Sequence, residues 1–131
     1  MTSSLKEIGE LGLQAESPLL DRICGPDQFR KEGLRQKLAA IRAEQAGPSA
    51  SPLERLAAER LAACWLQVHV AEWYYAHSLT KPKLNEYFHD HLDRSHRRFE
   101  SMLRTSAQIQ RLLKMVVQVN IGAQQVNVAG P

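Results

Sequence analysis

The sequence predicts an all-α protein built on a long antiparallel helical hairpin, with shorter N-terminal helices, a short C-terminal β segment and an oligomeric state. Two long segments, residues 52–79 and 83–116, have the apolar spacing of helices and are separated by a proline-containing turn. Residues 117–128 then change to the alternating pattern of strands. The hairpin and the change of period at its end are the observations from which this fold class follows.

The 131 residues correspond in size to one domain, and 44% of them are hydrophobic, which is enough to bury a core without disulfides. We expect three parts: an N-terminal helical arm over residues 1–50, the helical hairpin over residues 51–116 and a C-terminal β tail over residues 117–131. The short segment Gly47-Pro48-Ser49-Ala50 links the arm to the hairpin.

Cysteine usage and the lack of long apolar runs predict a cytoplasmic protein. Cys24 and Cys64 fall in separate predicted helices without metal-ligand spacing, so both are expected to be reduced thiols. The first twenty residues contain three glutamates and no apolar run, which argues against a signal peptide. No uncharged stretch reaches transmembrane length, so we expect no membrane association.

The N-terminal arm is predicted to contain three helical segments. Residues 3–15 have scattered apolar residues interrupted by two glycines and are expected to form a frayed helix. Ser17-Pro18 opens a short helix that Gly25-Pro26 ends. Asp27 is a good N-cap for a third helix over residues 28–45. The apolar stripe of this third helix consists of Phe29, Leu34, Leu38 and Ile41.

The first long helix has the clearest start in the chain. Ser51 and Glu54 form a capping box, and Pro52 occupies the first helical position. The helix should extend from Pro52 to about Leu79, roughly 40 Å at 1.5 Å per residue. Over residues 61–76 it is apolar around most of its circumference, which predicts burial on more than one side.

The second long helix follows a turn at Thr80-Lys81-Pro82 and runs from about Lys83 to Val116. Its apolar residues recur at intervals of three or four, as on one face of a helix. This stripe is expected to face the first long helix in an antiparallel hairpin. The stripe consists of Phe88, Leu92, Phe99, Met102, Ile109 and Leu113.

The C-terminal tail contains a near-duplicated motif, Gln118-Val119-Asn120 followed by Gln125-Val126-Asn127, in which apolar and amide residues alternate. A lone strand pair leaves two open edges, and no charge or proline inside these strands blocks pairing. We therefore predict that residues 117–128 pair between subunits and close a ring or a small barrel. The alternatives are a tail that folds back on its own helices, or one that stays disordered until a protein partner adds a strand. The predicted oligomerisation residues are Val117, Val119, Ile121, Val126 and Val128.

The basic residues are concentrated on the second long helix. Residues 81–131 hold eight basic and four acidic side chains, whereas the first fifty residues hold seven of each. The planar guanidinium group suits phosphate, so an oligomer that repeats this face could follow a DNA or RNA backbone. The alternatives are a solvated polar face and an intersubunit salt-bridge surface. The candidate nucleic-acid-binding residues are Arg94, Arg97, Arg98, Arg104, Arg111 and Lys114.

A row of histidine and acidic residues lies on the flank of the same helix, away from its apolar stripe. Metal sites in helical bundles need inward-facing ligands from several helices, and the N-terminal helices contain no histidine, so we predict no metal and no other cofactor. The tryptophans and tyrosines of the first long helix are interpreted as core or subunit-interface packing. The row consists of His89, Asp93, His96 and Glu100.

No residues in the sequence combine a nucleophile, a base and an oxyanion donor. Cys64 lies in an apolar helical segment without a neighbouring cation to activate it. The sequence also lacks a phosphate loop, a dinucleotide-binding fingerprint and zinc-ligand spacing. We therefore predict that the protein is not an enzyme.

Three blocks of the sequence resemble a family of small uncharacterised bacterial helical proteins. The blocks contain PLERL, ER and CWLQ within residues 52–67, DRSHRRF at residues 93–99, and VQVNI and QVNVAG after residue 116. The resemblance covers roughly residues 35–131, and it does not indicate any particular activity. The architecture more loosely resembles phage small terminase subunits, which implies a mobile genetic element, an oligomerising helical hairpin and a C-terminal β segment.

These observations together predict an oligomeric, nucleic-acid-associated accessory protein that contacts phosphates through its basic helix face. The alternative is a non-enzymatic structural or adaptor protein that acts through protein–protein contacts. Binding to DNA or RNA should weaken steeply with salt, because each neutralised phosphate releases counterions.

Overall fold

The computed structural model describes the backbone of residues 16–129 and the side chains of residues 16–124. These residues form helices and no strand, which confirms the predicted all-α class. The frayed helix predicted over residues 3–15 lies outside the described residues. The described helices are α1 over residues 16–24, α2 Gln28–Gln45, α3 Pro52–His77 and α4 Pro82–Ala129.

The helix starts predicted from capping residues are confirmed. The Asp27 carboxylate accepts a hydrogen bond from the backbone N–H of Arg30 at 3.0 Å, and Gly25 takes the positive φ of 56° that the preceding turn requires. At the start of α3, the Ser51 hydroxyl accepts from the Glu54 N–H at 3.2 Å, and the Glu54 carboxylate accepts from the Ser51 N–H at 3.1 Å. Both boundaries are therefore set by local hydrogen bonds.

The turn between α3 and α4 is closed by side chains. α3 ends at His77, two residues before the predicted end. The Asn85 amide donates to the backbone carbonyl of Tyr75 at 3.3 Å and to the Ser78 hydroxyl at 3.2 Å. The Ser78 hydroxyl itself donates to the Tyr75 carbonyl at 3.0 Å. These bonds satisfy the end of α3 and fix the start of α4 against it, as the predicted antiparallel hairpin requires.

α3 is the central helix of the fold. One side packs on α1 and α2, the other packs along α4, and nine of its side chains are buried. This confirms the predicted burial on more than one side. The core shared by α1, α2 and α3 consists of Leu20, Ile23, Cys24, Leu38, Ala62, Leu66 and Val70. All six residues of the apolar stripe predicted for α4 are half-buried, and Phe88 stacks on Tyr74 of α3 with ring centroids 4.9 Å apart.

The stripe predicted for α2 needs one correction. Phe29 is 92% exposed, because the five-residue interval to Leu34 turns it about 140° away from the rest of the stripe. Lys31 takes the inward position instead, and its ammonium group pairs with the Asp21 carboxylate of α1 at 2.5 Å. The ion pair compensates the charge that burial would otherwise leave unsatisfied, while the lysine stem covers apolar surface.

The prediction of a C-terminal β segment is wrong, because residues 117–128 continue α4 as far as Ala129. A pair of strands would need partners for its outer edges, whereas an extending helix satisfies its backbone groups within one chain. The helix is already formed when it reaches Val117, so its extension carries no new nucleation cost. Gly122 costs this extension only about 1 kcal/mol. The predicted boundary after residue 116 therefore falls inside α4.

Candidate nucleic-acid interface

An open groove of about 590 Å³ lies between α3 and α4 along the hairpin. Arg60 lines it from α3, and Arg97 and Arg98 line it from α4. The antiparallel hairpin places these residues at the same height along its axis, because they lie at similar distances along the chain from the turn. The remaining lining residues are Cys64, Gln67, Ser101, Met102 and Thr105. We call this feature the arginine groove.

Among the residues that the structure describes, none that lines the arginine groove is acidic. Within the described part of the chain, no carboxylate lies within 4.0 Å of the guanidinium nitrogens of Arg60, Arg97 or Arg98. All three arginines are exposed. Their positive charges add in one concave region, and their N–H donors point to no acidic partner among the described residues, so they can serve a ligand.

Neutral polar side chains complete the arginine groove. The Thr105 hydroxyl donates to the Ser101 backbone carbonyl at 3.0 Å and is therefore engaged within the helix. The exposed Ser101 hydroxyl and the Gln67 amide supply further donors from α4 and α3. A set of cationic and neutral donors without a carboxylate suits an anion that has several oxygens, as a phosphate does.

Cys64 belongs to the same groove, which the sequence did not reveal. Cys64 is buried and lines the groove together with Arg60, which lies four residues earlier on α3, and with Arg97 and Arg98 of α4. The sequence did not place Arg97 and Arg98 beside Cys64, because these two arginines come from α4. Cys24 and Cys64 are both free thiols, as expected.

Arg42 of α2 has a structural role, in contrast to the exposed arginines of the arginine groove. Its guanidinium donates to Glu16 of α1 at 2.6 Å and to Glu59 of α3 at 3.0 Å. Burial lowers the pKa of Arg42, but the hydrogen bonds and charges of the two glutamates outweigh burial and raise the pKa above its ordinary value. The stabilisation of the folded state by these ion pairs is therefore complete at pH values below the ordinary pKa of arginine. It is lost only as the pH rises through the raised pKa of Arg42. Arg42 joins three helices.

The structure divides the basic face predicted from the sequence. Only Arg97 and Arg98 enter the arginine groove, where Arg60 joins them. Arg60 is not among the predicted residues, because the charge pattern indicates α4 alone, although the register of the hairpin places residue 60 near residue 98. Three of the predicted residues are exposed on α4 and do not line the groove: Arg94, Arg104 and Arg111. Arg104 lies 3.8 Å from Glu100, which reduces its availability.

Lys114 lines a separate depression of about 570 Å³ where the end of α2 and the start of α3 approach α4. Glu44 and Glu54 line the same depression, so its charge is mixed rather than uniformly basic. Leu113 and Val117 form its apolar part. We call it the α2–α4 depression, and its mixed charge makes Lys114 a weaker candidate for phosphate binding than the groove arginines.

The predicted oligomerisation residues do not share one face once the tail is helical. Val117 lines the α2–α4 depression, whereas Val119, two residues on, is turned about 200° around the helix and is exposed. Ile121 is exposed on the side opposite to Val119. The side chains of Val126 and Val128 lie outside the described residues.

The histidine row of α4 forms pairs. His89 lies 3.9 Å from Asp93, and His96 lies 3.8 Å from Glu72 of α3. Each of these side chains is about half exposed, so the pairs are solvated. Over the part of the chain that the structure describes, no group of three or more His, Cys, Asp or Glu residues could hold a metal ion.

The aromatic residues of α3 serve packing, as expected. Trp65, Trp73 and Tyr74 pack against the hydrophobic core. His69 stacks on Trp65 with centroids 4.4 Å apart, and His77 stacks on Trp73 at 4.0 Å. One face of each indole is thus covered by a histidine of the same helix, which leaves little aromatic surface for stacking with bases.

None of the described helices is both long enough and apolar enough to cross a lipid bilayer. Comparisons of the chain with protein-family models, with curated proteins and with solved structures found no match. The functional inference therefore depends on the geometry of the arginine groove itself.

Proposed function

We propose that this protein is an oligomeric accessory protein that binds the phosphate backbone of DNA or RNA. The observation that supports this most directly is the convergence of Arg60, Arg97 and Arg98 from two helices in a groove whose described lining residues include no carboxylate. An arginine can donate two parallel hydrogen bonds to one phosphate, and three arginines in one groove can contact neighbouring phosphates of a strand.

The openness of the arginine groove favours a polymer over a small anion. Small-molecule sites enclose most of their ligand, whereas this groove is open to solvent and exposed arginines flank it on α4. None of the described residues that line the arginine groove is aromatic, which favours contacts to the backbone rather than to the bases. The binding proposed here is therefore electrostatic and independent of sequence.

Replacing Arg60, Arg97 and Arg98 together by glutamine is expected to weaken binding to a fluorescein-labelled oligonucleotide by at least about tenfold at low salt, because up to three phosphate contacts are removed. The affinity is measured by fluorescence anisotropy, and circular dichroism verifies that the variant stays helical.

The matched control replaces Arg30, Arg35 and Arg55 by glutamine. These arginines are exposed outside the arginine groove, and the change in net charge is the same. We expect the affinity of this control to fall by less than about threefold, because only the overall electrostatic field of the protein changes. Equal losses in the two triple variants would show that net charge rather than the groove determines binding.

The alternative function is a structural or adaptor protein that acts through protein–protein contacts. It is supported by the exposed apolar side chains at the C-terminal end of α4. Because this segment is helical, a partner would bind it as a helix rather than add a strand. Folded protein that binds neither DNA nor RNA at low salt would favour this alternative.

The proposal also includes a cytoplasmic location and no catalytic activity. The free thiols of Cys24 and Cys64 support a reducing compartment. The described residues of the arginine groove supply anion donors but no carboxylate or histidine to act as a base, which supports binding rather than catalysis.

A further inference from the structure

The C-terminal part of α4 presents an apolar face to solvent. Leu112, Met115, Val116 and Val119 follow the spacing i, i+3, i+4 and i+7, which places them on one side of the helix. Their exposed fractions are 61%, 54%, 55% and 69% respectively. We call these four residues the α4 end face.

The α4 end face points away from the rest of the described chain. Leu113 and Val117, about a quarter turn or more around the helix, line the α2–α4 depression and so mark the side that faces α2 and α3. The intramolecular packing of α4 therefore uses a different side, and none of the described helices covers the end face.

The exposed apolar area of the end face is large enough to form part of an interface between two chains. The four side chains of the end face are each more than half exposed, which corresponds to an area on the order of 400 Å², within the range for the largest patch on a monomer. A helix pairing that buries the end face together with its flanking amide and alanine side chains approaches the roughly 800 Å² that each partner contributes to a standard interface.

The end face is self-complementary in shape when two helices run antiparallel. A two-fold axis between Met115 and Val116 places Leu112 opposite Val119 of a second copy, and Met115 opposite its Val116. Each long side chain then meets a short β-branched one, as interdigitated packing requires. Parallel pairing would instead place each residue opposite itself.

Charge also favours a second copy in the antiparallel orientation. Residues 115–129 contain no charged side chain, and residues 101–114 contain Arg104, Arg111 and Lys114 but no carboxylate. Parallel pairing would bring each Arg111 and each Lys114 close to its equivalent, whereas antiparallel pairing sets these cations beside uncharged segments. A membrane surface is a poorer fit, because interfacial helices carry lysine and arginine along the polar face and aromatic anchors on the other.

We propose that two copies of this chain associate through antiparallel packing of the α4 end face, formed by Leu112, Met115, Val116 and Val119. The pairing replaces the strand-mediated assembly expected from the sequence. If the proposed function also holds, on which this consequence rests, the two arginine grooves lie about 50 Å apart along the shared helix axis. That span corresponds to about 15 base pairs of duplex DNA, so one dimer could contact a duplex at two places.

The test compares two substitutions that differ only in their position around the helix. Val119→Glu places a charge in the end face, where Val119 is 69% exposed, and Ile121→Glu places the same charge on the opposite side of the helix, where Ile121 is 49% exposed. The masses are measured by light scattering on the full chain at high salt without nucleic acid, so that failure of the phosphate proposal cannot affect the result. We expect two chains for the unmodified protein and for Ile121→Glu, and one chain for Val119→Glu.

A single-chain mass for the unmodified protein at high micromolar concentration would overturn the proposal. Equal dissociation of both glutamate variants, or a larger assembly that Val119→Glu leaves intact, would overturn it as well. Cross-linking supplies a measurement that does not depend on the folding of a charged variant. A short bismaleimide should join two copies of Val116→Cys but not of Ile121→Cys, and the two native thiols are buried. Equal yields from both positions would contradict the pairing.

Discussion

Leu66→Ala is expected to lower the free energy of unfolding by about 3 kcal/mol. Leu66 is 2% exposed and lies in the core that α1, α2 and α3 share. Its truncation removes buried apolar surface and leaves a cavity that three packed helices cannot fully close. Urea unfolding followed by circular dichroism should show a lower midpoint with an unchanged denaturant dependence.

The control for this substitution is Leu53→Ala, which makes the same chemical change in the same helix. Leu53 is 50% exposed in the first turn of α3, so its truncation should cost less than about 1 kcal/mol. Both variants are compared at one protein concentration, because self-association would stabilise the folded state. Similar losses at the two positions would mean that α3 is not packed as described.

Arg42→Met should lower the free energy of unfolding by about 2–3 kcal/mol, because it leaves Glu16 and Glu59 without their shared cation. The side chains concerned are only 14–28% exposed, so solvent compensates the loss poorly. Urea unfolding again measures the effect. The control Arg35→Met removes a 43% exposed arginine 3.9 Å from Glu32 and should cost less than about 0.5 kcal/mol.

The cause of the Arg42 effect can be separated from loss of packing by restoring charge balance. Adding Glu16→Gln and Glu59→Gln to Arg42→Met removes the two uncompensated carboxylates, and we expect more than half of the lost stability to return. If the triple variant is no more stable than Arg42→Met, the ion pairs do not hold α1, α2 and α3 together.

The helix boundaries could be predicted because the interactions that set them are local. Asp27 and Ser51 cap helices through hydrogen bonds to residues three positions later, so the sequence contains the whole interaction. The same holds for the turn before Pro82, where the predicted and observed starts of α4 differ by one residue. By contrast, the prediction that Phe29 belongs to the core is wrong. Phe29 is apolar, but its position around the helix turns its side chain away from the core.

The C-terminal error arose from an ambiguous pattern. Five residues of alternating polarity, residues 117–121, fit a strand, but they also fit a helix with apolar side chains on two sides. Which one forms depends on what precedes the segment, and here a long helix continues into it.

The candidate site was only partly predictable for a different reason. Arg97 and Arg98 could be found from the charge of α4, whereas Arg60 is distant in sequence and meets them only through the packing register of α3 against α4. That register is set by the turn between His77 and Pro82, from which Arg60 and Arg98 lie at similar distances along the chain. The signal in the sequence that could identify Arg60 is therefore its distance from the turn, which matches that of Arg98.

The salt dependence of nucleic-acid binding tests the central claim most directly. The affinity of the unmodified chain for a labelled oligonucleotide is measured by fluorescence anisotropy over a series of salt concentrations. If the arginine groove neutralises phosphates, the logarithm of the affinity should fall linearly with the logarithm of salt concentration, with a slope of about −2 to −3 for three arginines. The triple glutamine variant of the arginine groove should lose most of this slope. An affinity that does not change with salt, or no binding at the lowest salt concentration, would contradict the proposed function.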